Sequence, residues 1–294
     1  MKIGFIGLGI MGKPMAKNLV KAGYQLLVND FNKTSVEELK ALGAEVCSTN
    51  KEIAEKSDVV ITMLPNSPHV KEVALGEGGL IEGAHAGLTL IDMSSIAPLA
   101  SREIGEKLAE KGVEMLDAPV SGGEPKAVDG TISVMVGGKQ ELFDKYYDVM
   151  KAMAGSVVRV GEIGAGNIAK LCNQTIVAIN IAAVSEALVL AQKAGVSPEL
   201  VYNAIRGGLA GSTVLDAKAP LMMDRKFDPG FRINLHIKDL NNVLETSHGV
   251  GAPLPLTSAV REMMEFLKVD GHEMEDHSSL VKYYEKLANI EVQR

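Results

Sequence analysis

Three glycines near the N-terminus constrain this chain more than any other feature. Gly7, Gly9 and Gly12 form the pattern GxGxxG, directly after the apolar run 2–6 (KIGFI) and at the start of a segment with helical spacing. In that context one glycine makes a tight turn, the next lets the backbone approach a pyrophosphate, and the third lets helix and strand pack closely. The alternative, an ordinary glycine-rich turn, lacks this strand–turn–helix setting. The pattern predicts a dinucleotide site at a helix N-terminus.

The second apolar run, 25–29 (QLLVN), ends at Asp30, which follows Gly12 by 18 residues. From that position a carboxylate accepts hydrogen bonds from the hydroxyls of the adenosine ribose. A carboxylate also repels a 2′-phosphate, and Phe31 offers no guanidinium, although Lys33 supplies a positive charge. We therefore predict NAD as the cofactor, with NADP as the alternative.

Short apolar runs recur along the first half of the chain, separated by helical segments. They cover 58–64, 88–92, 113–118, 132–136 and 157–160. Strands that alternate with helices imply a mainly parallel sheet covered on both faces. After Gly166 only helical segments follow, at 167–193, 198–206, 213–224, 234–249, 256–268 and 277–289. The sequence predicts an α/β protein: an N-terminal Rossmann domain (1–162) and an all-α C-terminal domain (163–294), joined by a long interdomain helix.

Composition excludes several classes of function. The net charge is -7 and no basic run exceeds a pair of residues, which argues against nucleic-acid and anionic-membrane surfaces. Cys47 and Cys172 lack a CxxC partner, so neither a disulfide framework nor a zinc site is expected, and the histidines show no metal-ligand spacing. The apolar stretch 175–191 is interrupted by polar residues and predicts a buried helix rather than a membrane span. We expect a cytoplasmic setting without a resident metal.

The helix at the domain boundary carries a polar stripe. Asn167, Lys170, Asn173 and Gln174 fall on one side of it, in a segment otherwise rich in Ile, Val, Ala and Leu. A buried ammonium needs partners, which an anionic substrate would supply, and partial desolvation moves a Lys pKa towards the range of a general acid. The alternative is a solvated Lys at a helix start.

A second polar element, 117–123 (DAPVSGG), follows an apolar strand. Ser121 supplies a hydroxyl, and Gly122 and Gly123 expose backbone N–H groups to a carboxylate without obstruction by side chains. A plain glycine-containing turn is the alternative interpretation.

Five segments together resemble the β-hydroxyacid dehydrogenase family, over essentially the whole chain. They are 4–18 (GFIGLGIMGKPMAKN), 92–95 (DMSS), 117–123 (DAPVSGG), 161–173 (GEIGAGNIAKLCN) and 231–240 (FRINLHIKDL). The resemblance implies an enzyme that interconverts a small carboxylate-bearing aldehyde and its hydroxyacid. It also implies association into a homodimer or homotetramer through the helical domain.

The resemblance assigns roles to individual residues. Lys170 would be the catalytic acid/base, Ser121, Gly122 and Gly123 would bind the substrate carboxylate, and Asn173 would hydrogen-bond the substrate. Gln174 stands where some members have a second Asn, so either amide is a candidate. The implied cofactor contacts, beyond Gly7, Gly9, Gly12 and Asp30, are Ile10, Met11, Leu64, Pro65, Ser95, Phe231, Lys238 and Asp239.

Segments outside the shared motifs bear on the substrate. Four stretches look like the branch of the family that reduces tartronate semialdehyde to D-glycerate: 63–77 (MLPNSPHVKEVALGE), 91–104 (IDMSSIAPLASREI), 117–127 (DAPVSGGEPKA) and 205–220 (IRGGLAGSTVLDAKAP). The alternatives within the family are 3-hydroxyisobutyrate dehydrogenase and glyoxylate/succinic semialdehyde reductase. A non-catalytic nucleotide-binding module is the alternative from another class, and the presence of Lys170, Asn173 and Ser121 argues against it.

Overall fold

The computed structural model describes residues 1–294, which separate into two compact units, Met1–Lys170 and Leu171–Arg294. The strands of the first unit are β1 (Lys2–Ile6), β2 (Gln25–Asn29), β3 (Glu45–Val46), β4 (Val59–Thr62), β5 (Thr89–Asp92), β6 (Glu114–Asp117), β7 (Val120–Ser121), β8 (Ile132–Gly137) and β9 (Ala154–Gly161). Its helices are α1 (Gly12–Lys21), α2 (Lys33–Ala41), α3 (Asn50–Lys56), α4 (Ser67–Leu75), α5 (Pro98–Ala109), α6 (Gly123–Asp129) and α7 (Gln140–Lys151).

The strands form one sheet in the order β3-β2-β1-β4-β5-β6-β8-β7, with β9 paired to β8. Strands β1 to β6 run parallel to one another, whereas β8 lies antiparallel to β6 and β7. The order reverses at β1, which has β2 on one side and β4 on the other. At such a switch point a crevice opens beyond the carboxyl ends of the strands, where ligands of α/β sheets bind.

Helices cover both faces of this sheet. Successive residues of β4 enter different apolar clusters: Val59 and Ile61 pack with Phe5 on one face, and Val60 packs with Leu27 on the other. All four residues of β4 are buried, as are those of β5. Burial on both faces explains why these strands read as continuous apolar runs rather than as alternating ones.

The second unit is helical. α8 (Ala165–Lys193) begins in the first unit and continues into the second, which also contains α9 (Pro198–Ile205), α10 (Thr213–Met223), α11 (Ile233–Val250), α12 (Pro255–Val269) and α13 (Val281–Ala288). A short 3-10 turn at His277–Leu280 precedes α13, and a single β-bridge joins Arg232 to Asp276. The apolar core of this unit includes the fully buried Ile181, Leu240 and Met264.

α8 has the length and composition of a membrane-crossing helix, with a mean hydropathy of 1.7 over its most apolar window, half of which is buried in the protein. Core helices of globular proteins share these properties. Its residues Ala178 and Ile181 are completely buried in the helical core, as the sequence interpretation of a buried helix requires.

The predicted fold class, a Rossmann domain followed by a helical domain, is confirmed. Three details differ. The two-residue strands β3 and β7 were not predicted, because so short a stretch carries no period. β9 begins at Ala154 rather than at residue 157, and the last predicted helix starts as a 3-10 turn.

Candidate active site

The glycine loop joins β1 to α1, and each glycine in it has a different environment. Gly7 has a φ of +97°, and a Cβ there would lie 2.3 Å from the carbonyl oxygen of Met63. A Cβ on Gly12 would lie 1.9 Å from the carbonyl oxygen of Gly7. A Cβ on Gly9, by contrast, would meet no protein atom within 4 Å. The fold itself therefore requires Gly7 and Gly12, whereas Gly9 leaves backbone accessible from open space.

The open space beside Gly9 is part of a larger cleft. A cleft of about 400 Å³ lies beside Gly9 and Ile10 and extends to Asn32 at the start of α2. The N-terminus of α1 has no side-chain cap, since Met11 at the cap position offers no hydrogen-bond acceptor to the first N–H groups. Within the first turn the N–H of Lys13 donates to the carbonyl oxygen of Gly9 at 3.0 Å and Pro14 has no N–H, so the helix dipole and the backbone of the glycine loop are what favour an anion such as a pyrophosphate. The residues present therefore match the chemistry of the predicted cofactor.

Asp30 ties the glycine loop to the next turn. One carboxylate oxygen accepts the backbone N–H of Leu8 at 2.5 Å, and the other accepts that of Asn32 at 2.6 Å. A carboxylate oxygen has lone pairs for more than one donor, so both oxygens can still accept hydrogen bonds from a sugar. Asp30 therefore fixes the loop in addition to its predicted contact with the ribose.

The carboxyl ends of β4 and β5 are joined by a buried aspartate. The Oδ1 atom of Asp92 accepts the hydroxyl of Thr62 at 2.8 Å and the backbone N–H of Ser94 at 3.1 Å. The hydroxyl oxygen of Ser94 accepts the backbone N–H of Leu64 at 2.8 Å. Burial raises the pKa of Asp92 to about 7, against the opposing effect of its hydrogen bonds. These contacts hold the segments that carry the predicted cofactor residues Leu64, Pro65 and Ser95.

A second buried aspartate anchors the start of α8. Asp117 is the register partner of Asp92 on the neighbouring strand. Its carboxylate accepts the backbone N–H groups of Gly164 and Asn167, both at 2.7 Å. Burial raises the pKa of Asp117, and the two N–H donors counteract that effect. A carboxylate at a helix N-terminus is favourable, so Asp117 fixes the first turn of the helix that bears Lys170.

Asn167 belongs to this anchor. Its Oδ1 atom accepts the backbone N–H of Ile96 at 3.0 Å, and its amide nitrogen donates to the hydroxyl of Ser101 at 3.2 Å. Asn167, one member of the polar stripe predicted on α8, therefore connects the start of that helix to α5 and to the segment before it.

Ser121, Gly122 and Gly123 lie together at the end of β7. Ser121 pairs with Ser133 of β8, and Gly123 is the first residue of α6. Both glycines have positive φ values, +143° at Gly122 and +72° at Gly123, which side chains with a Cβ rarely adopt. The segment is thus a strand end that turns into a helix through two glycines, and its binding of a carboxylate stays a prediction.

Lys170 is 94% buried, with a relative exposure of 6%. It lies one turn before Asn173 and Gln174 on α8. An ammonium in such a position is costly unless charged or polar groups surround it. The interpretation of Lys170 as a solvated surface residue is therefore wrong.

The amides of α8 join a hydrogen-bonded group in the second unit. Asn173 donates to the side-chain oxygen of Gln174 at 2.9 Å, and Gln174 donates to Asp239 at 2.7 Å. The ammonium of Lys238 lies 2.8 Å from the other oxygen of Asp239. Asp239 is 2% exposed, so it orients Gln174 and Lys238 from within the protein.

Phe231 is held at the start of α11 by Asp276. The carboxylate of Asp276 accepts the N–H of Phe231 at 3.0 Å and the ammonium of Lys218 at 3.0 Å. Burial raises the pKa of Asp276, but the charges of His277 and Lys218 and the backbone donors outweigh it and lower that pKa to about 2. The ring of Phe231 packs edge-on against His277 and His236.

No role was assigned to Asp92, Asp117 or Asp276 from the sequence alone. The buried pair His236 and His277, whose Nδ1 atoms are 2.9 Å apart, was also missed. Asp92 and Asp117 did carry a signal, because each ends an apolar strand in a segment that was singled out. The histidine pair carried none, since its members are 41 residues apart. No group of three or more His, Cys, Asp or Glu residues is arranged to hold a metal ion.

Models of two protein families match the chain and together span most of it. Residues 2–161 match the NAD-binding domain of 6-phosphogluconate dehydrogenase, and residues 164–284 match the NAD-binding domain of NADP-dependent 3-hydroxyisobutyrate dehydrogenase.

Full-length relatives are similar as well. A 2-hydroxy-3-oxopropionate reductase of Escherichia coli is 43% identical, covering 98% of this chain and 99% of the relative. A 2-(hydroxymethyl)glutarate dehydrogenase of Eubacterium barkeri is 37% identical, covering 99% and 97%. The solved structure of a Mycobacterium tuberculosis 3-hydroxyisobutyrate dehydrogenase with L-serine superimposes with a TM-score of 0.90 at 32% identity, covering 96% of this chain and 98% of that one.

Proposed function

The chain belongs to the β-hydroxyacid dehydrogenase family, and from that membership we propose that it reduces tartronate semialdehyde to D-glycerate, with NAD as the favoured cofactor and NADP as the alternative. Membership makes it an oxidoreductase that uses a nicotinamide cofactor. The observation that carries the choice of substrate is the full-length similarity to the E. coli 2-hydroxy-3-oxopropionate reductase. The similarity of the segments 63–77 and 205–220 to that branch of the family supports the same choice.

Lys170 is the proposed acid. Reduction of the aldehyde places negative charge on the carbonyl oxygen, and a neighbouring ammonium both stabilises that charge and supplies the proton that completes the alcohol. The burial of Lys170 supports this role, because water competes less for a buried ammonium. A bound reduced nicotinamide supplies the hydride.

The substrate carboxylate is the proposed ligand of Ser121, Gly122 and Gly123. A hydroxyl and two backbone N–H groups without neighbouring side chains suit a carboxylate. Asn173 and Gln174 are the proposed partners of the substrate hydroxyl. The side-chain oxygen of Gln174 already accepts one hydrogen bond from Asn173, so the side-chain oxygen of Asn173 is the favoured acceptor for a substrate donor.

The proposed cofactor contacts fall into three groups. The glycine loop, Gly7 to Gly12 with Ile10 and Met11, holds the pyrophosphate, and Asp30 holds the adenosine ribose. Leu64, Pro65 and Ser95 contact the nicotinamide half. The resemblance also assigns Phe231, Lys238 and Asp239 to the cofactor, and the ammonium of Lys238 lies 2.8 Å from the carboxylate of Asp239.

A substrate panel tests the proposal. We expect kcat/KM for tartronate semialdehyde to exceed that for methylmalonate semialdehyde, succinic semialdehyde and glyoxylate, each measured with NADH and with NADPH. A site built to hydrogen-bond a hydroxyl rejects the analogue that lacks it, so the ratio to methylmalonate semialdehyde should be roughly 100-fold or more. Equal or better turnover of another member of the panel would overturn the choice of substrate, and no turnover of any would favour the non-catalytic module.

A second candidate is 3-hydroxyisobutyrate dehydrogenase. The superposition on the M. tuberculosis enzyme of that name favours it. Its substrate carries a methyl group where D-glycerate carries a hydroxyl. Oxidation of 3-hydroxyisobutyrate faster than that of D-glycerate would support this candidate.

A further inference from the structure

Phe31 is a fully exposed aromatic residue at a fixed position. Its relative exposure is 102%, and it lies between β2 and α2. The backbone on either side of it is hydrogen-bonded: Asp30 accepts the N–H of Asn32, and Asn32 accepts those of Thr34 and Ser35. Single exposed apolar side chains are common, but here a tightly bonded turn presents one to solvent.

This turn lies next to the glycine loop. The backbone N–H of Gly7 donates to the carbonyl oxygen of Asn29, and Asp30 accepts the N–H of Leu8. Phe31 therefore directly follows Asp30, whose carboxylate is proposed to hold the adenosine ribose. In a dinucleotide, the adenine is attached to that same ribose.

We infer that the phenyl ring of Phe31 packs against the face of the adenine and determines the affinity for the adenosine half of the cofactor. The inference rests on the proposed function, because it requires a bound dinucleotide. Stacking removes both the exposed ring and the base from water, and every base has a π-face for an aromatic side chain. The ring carries no charge that would pair with a 2′-phosphate, and Asp30 beside it repels one, which agrees with the proposed preference for NAD.

Binding measurements on the full chain test the inference without recourse to turnover. NADH and reduced nicotinamide mononucleotide, which lacks the adenosine half, are titrated against wild type and Phe31→Ala, with binding followed by nicotinamide fluorescence. Loss of one stacked base predicts a Kd for NADH that is roughly 5- to 150-fold higher in Phe31→Ala. The Kd for reduced nicotinamide mononucleotide should be the same in both proteins. Phe31→Trp should bind NADH as tightly as wild type.

Leu42→Ala is the matched control. Leu42 is also an exposed apolar residue, 50% exposed, at the opposite end of α2. Its replacement should leave both dissociation constants unchanged, and circular dichroism should show that all variants are folded.

Each outcome separates the inference from the function on which it rests. If wild type binds neither NADH nor NADPH, the proposed function is wrong. If wild type binds NADH and Phe31→Ala binds it equally well, only the stacking role is wrong. An equal loss of affinity for NADH and for reduced nicotinamide mononucleotide would show that Phe31 supports the site generally, which would also overturn the inference.

Discussion

At the scale of single residues, Lys170 is the group whose chemistry the proposed reaction needs most. We expect Lys170→Ala to lower kcat by roughly 100- to 10,000-fold, the range of a general acid, while the Kd for NADH stays within about twofold. Lys170→Arg is the matched control: it keeps a positive charge but does not release a proton near neutral pH. It should therefore remain nearly inactive. Stopped-flow turnover and NADH fluorescence measure the two quantities, and near-normal turnover in either variant would contradict the role.

Asp92 is a buried carboxyl group with a pKa raised to about 7 by its burial. Since its unfolded pKa is near 3.8, its contribution to stability is most favourable below that pH and is lost as the pH rises through about 7. Asp92→Asn keeps an oxygen to accept the bonds from Thr62 and Ser94 but cannot ionise. As the pH rises from 5 to 8, we expect the free energy of unfolding of the variant to increase relative to that of wild type by about 1–4 kcal/mol. Urea unfolding at pH 5 and at pH 8 measures the free energy of unfolding of both proteins. If the difference between variant and wild type were the same at both pH values, the raised pKa would be contradicted.

At the scale of elements, the glycine loop between β1 and α1 contains glycines that the fold requires and one, Gly9, that only the ligand requires. We expect Gly9→Ala to fold with a nearly unchanged Tm, because its Cβ would enter open space, but to bind NADH at least roughly tenfold more weakly. Gly12→Ala should lose stability, by roughly 1–3 kcal/mol or more, because its Cβ would meet the carbonyl oxygen of Gly7.

Differential scanning fluorimetry and NADH titration of the two variants form the comparison. If Gly9→Ala bound NADH as wild type does, the backbone at Gly9 would not be the phosphate site. If Gly12→Ala were as stable as wild type, the close approach of α1 to β1 would not constrain that position.

At the scale of the whole molecule, association into a homo-oligomer remains a prediction. Ile176, Ala183 and Leu190 recur at intervals of seven along α8 and are exposed, which places an apolar row on one face of that helix. A second copy of the chain is the partner expected to cover it. Light scattering after size exclusion should give two or four times the chain mass of 31.2 kDa.

The double substitution Ile176→Glu with Leu190→Glu should reduce that mass to one chain, since it places charge on the apolar row. Leu42→Glu, on the first unit, should leave the mass unchanged. A wild-type mass of a single chain at all concentrations would contradict the prediction.

Much of the fold and part of the candidate site followed from the sequence alone. The GxGxxG loop, the strand–helix alternation and the helical second half are local patterns, because periodicity and turn chemistry act over a few neighbouring residues. The acidic end of β2 and the Lys of α8 were predictable for the same reason. The short strands β3 and β7 were not, because they exist only through pairing with β2 and β8.

Other features were decided by tertiary structure. Asp92 and Asp117 are neighbours because β5 and β6 pair in parallel register, and burial there changes their acidity. Gln174 meets Asp239 across 65 residues, and His236 meets His277 across 41. The sequence determines which groups can donate, accept or carry charge. Which of them lie within hydrogen-bonding distance, and how far water is excluded from them, depends on long-range packing that no local pattern encodes.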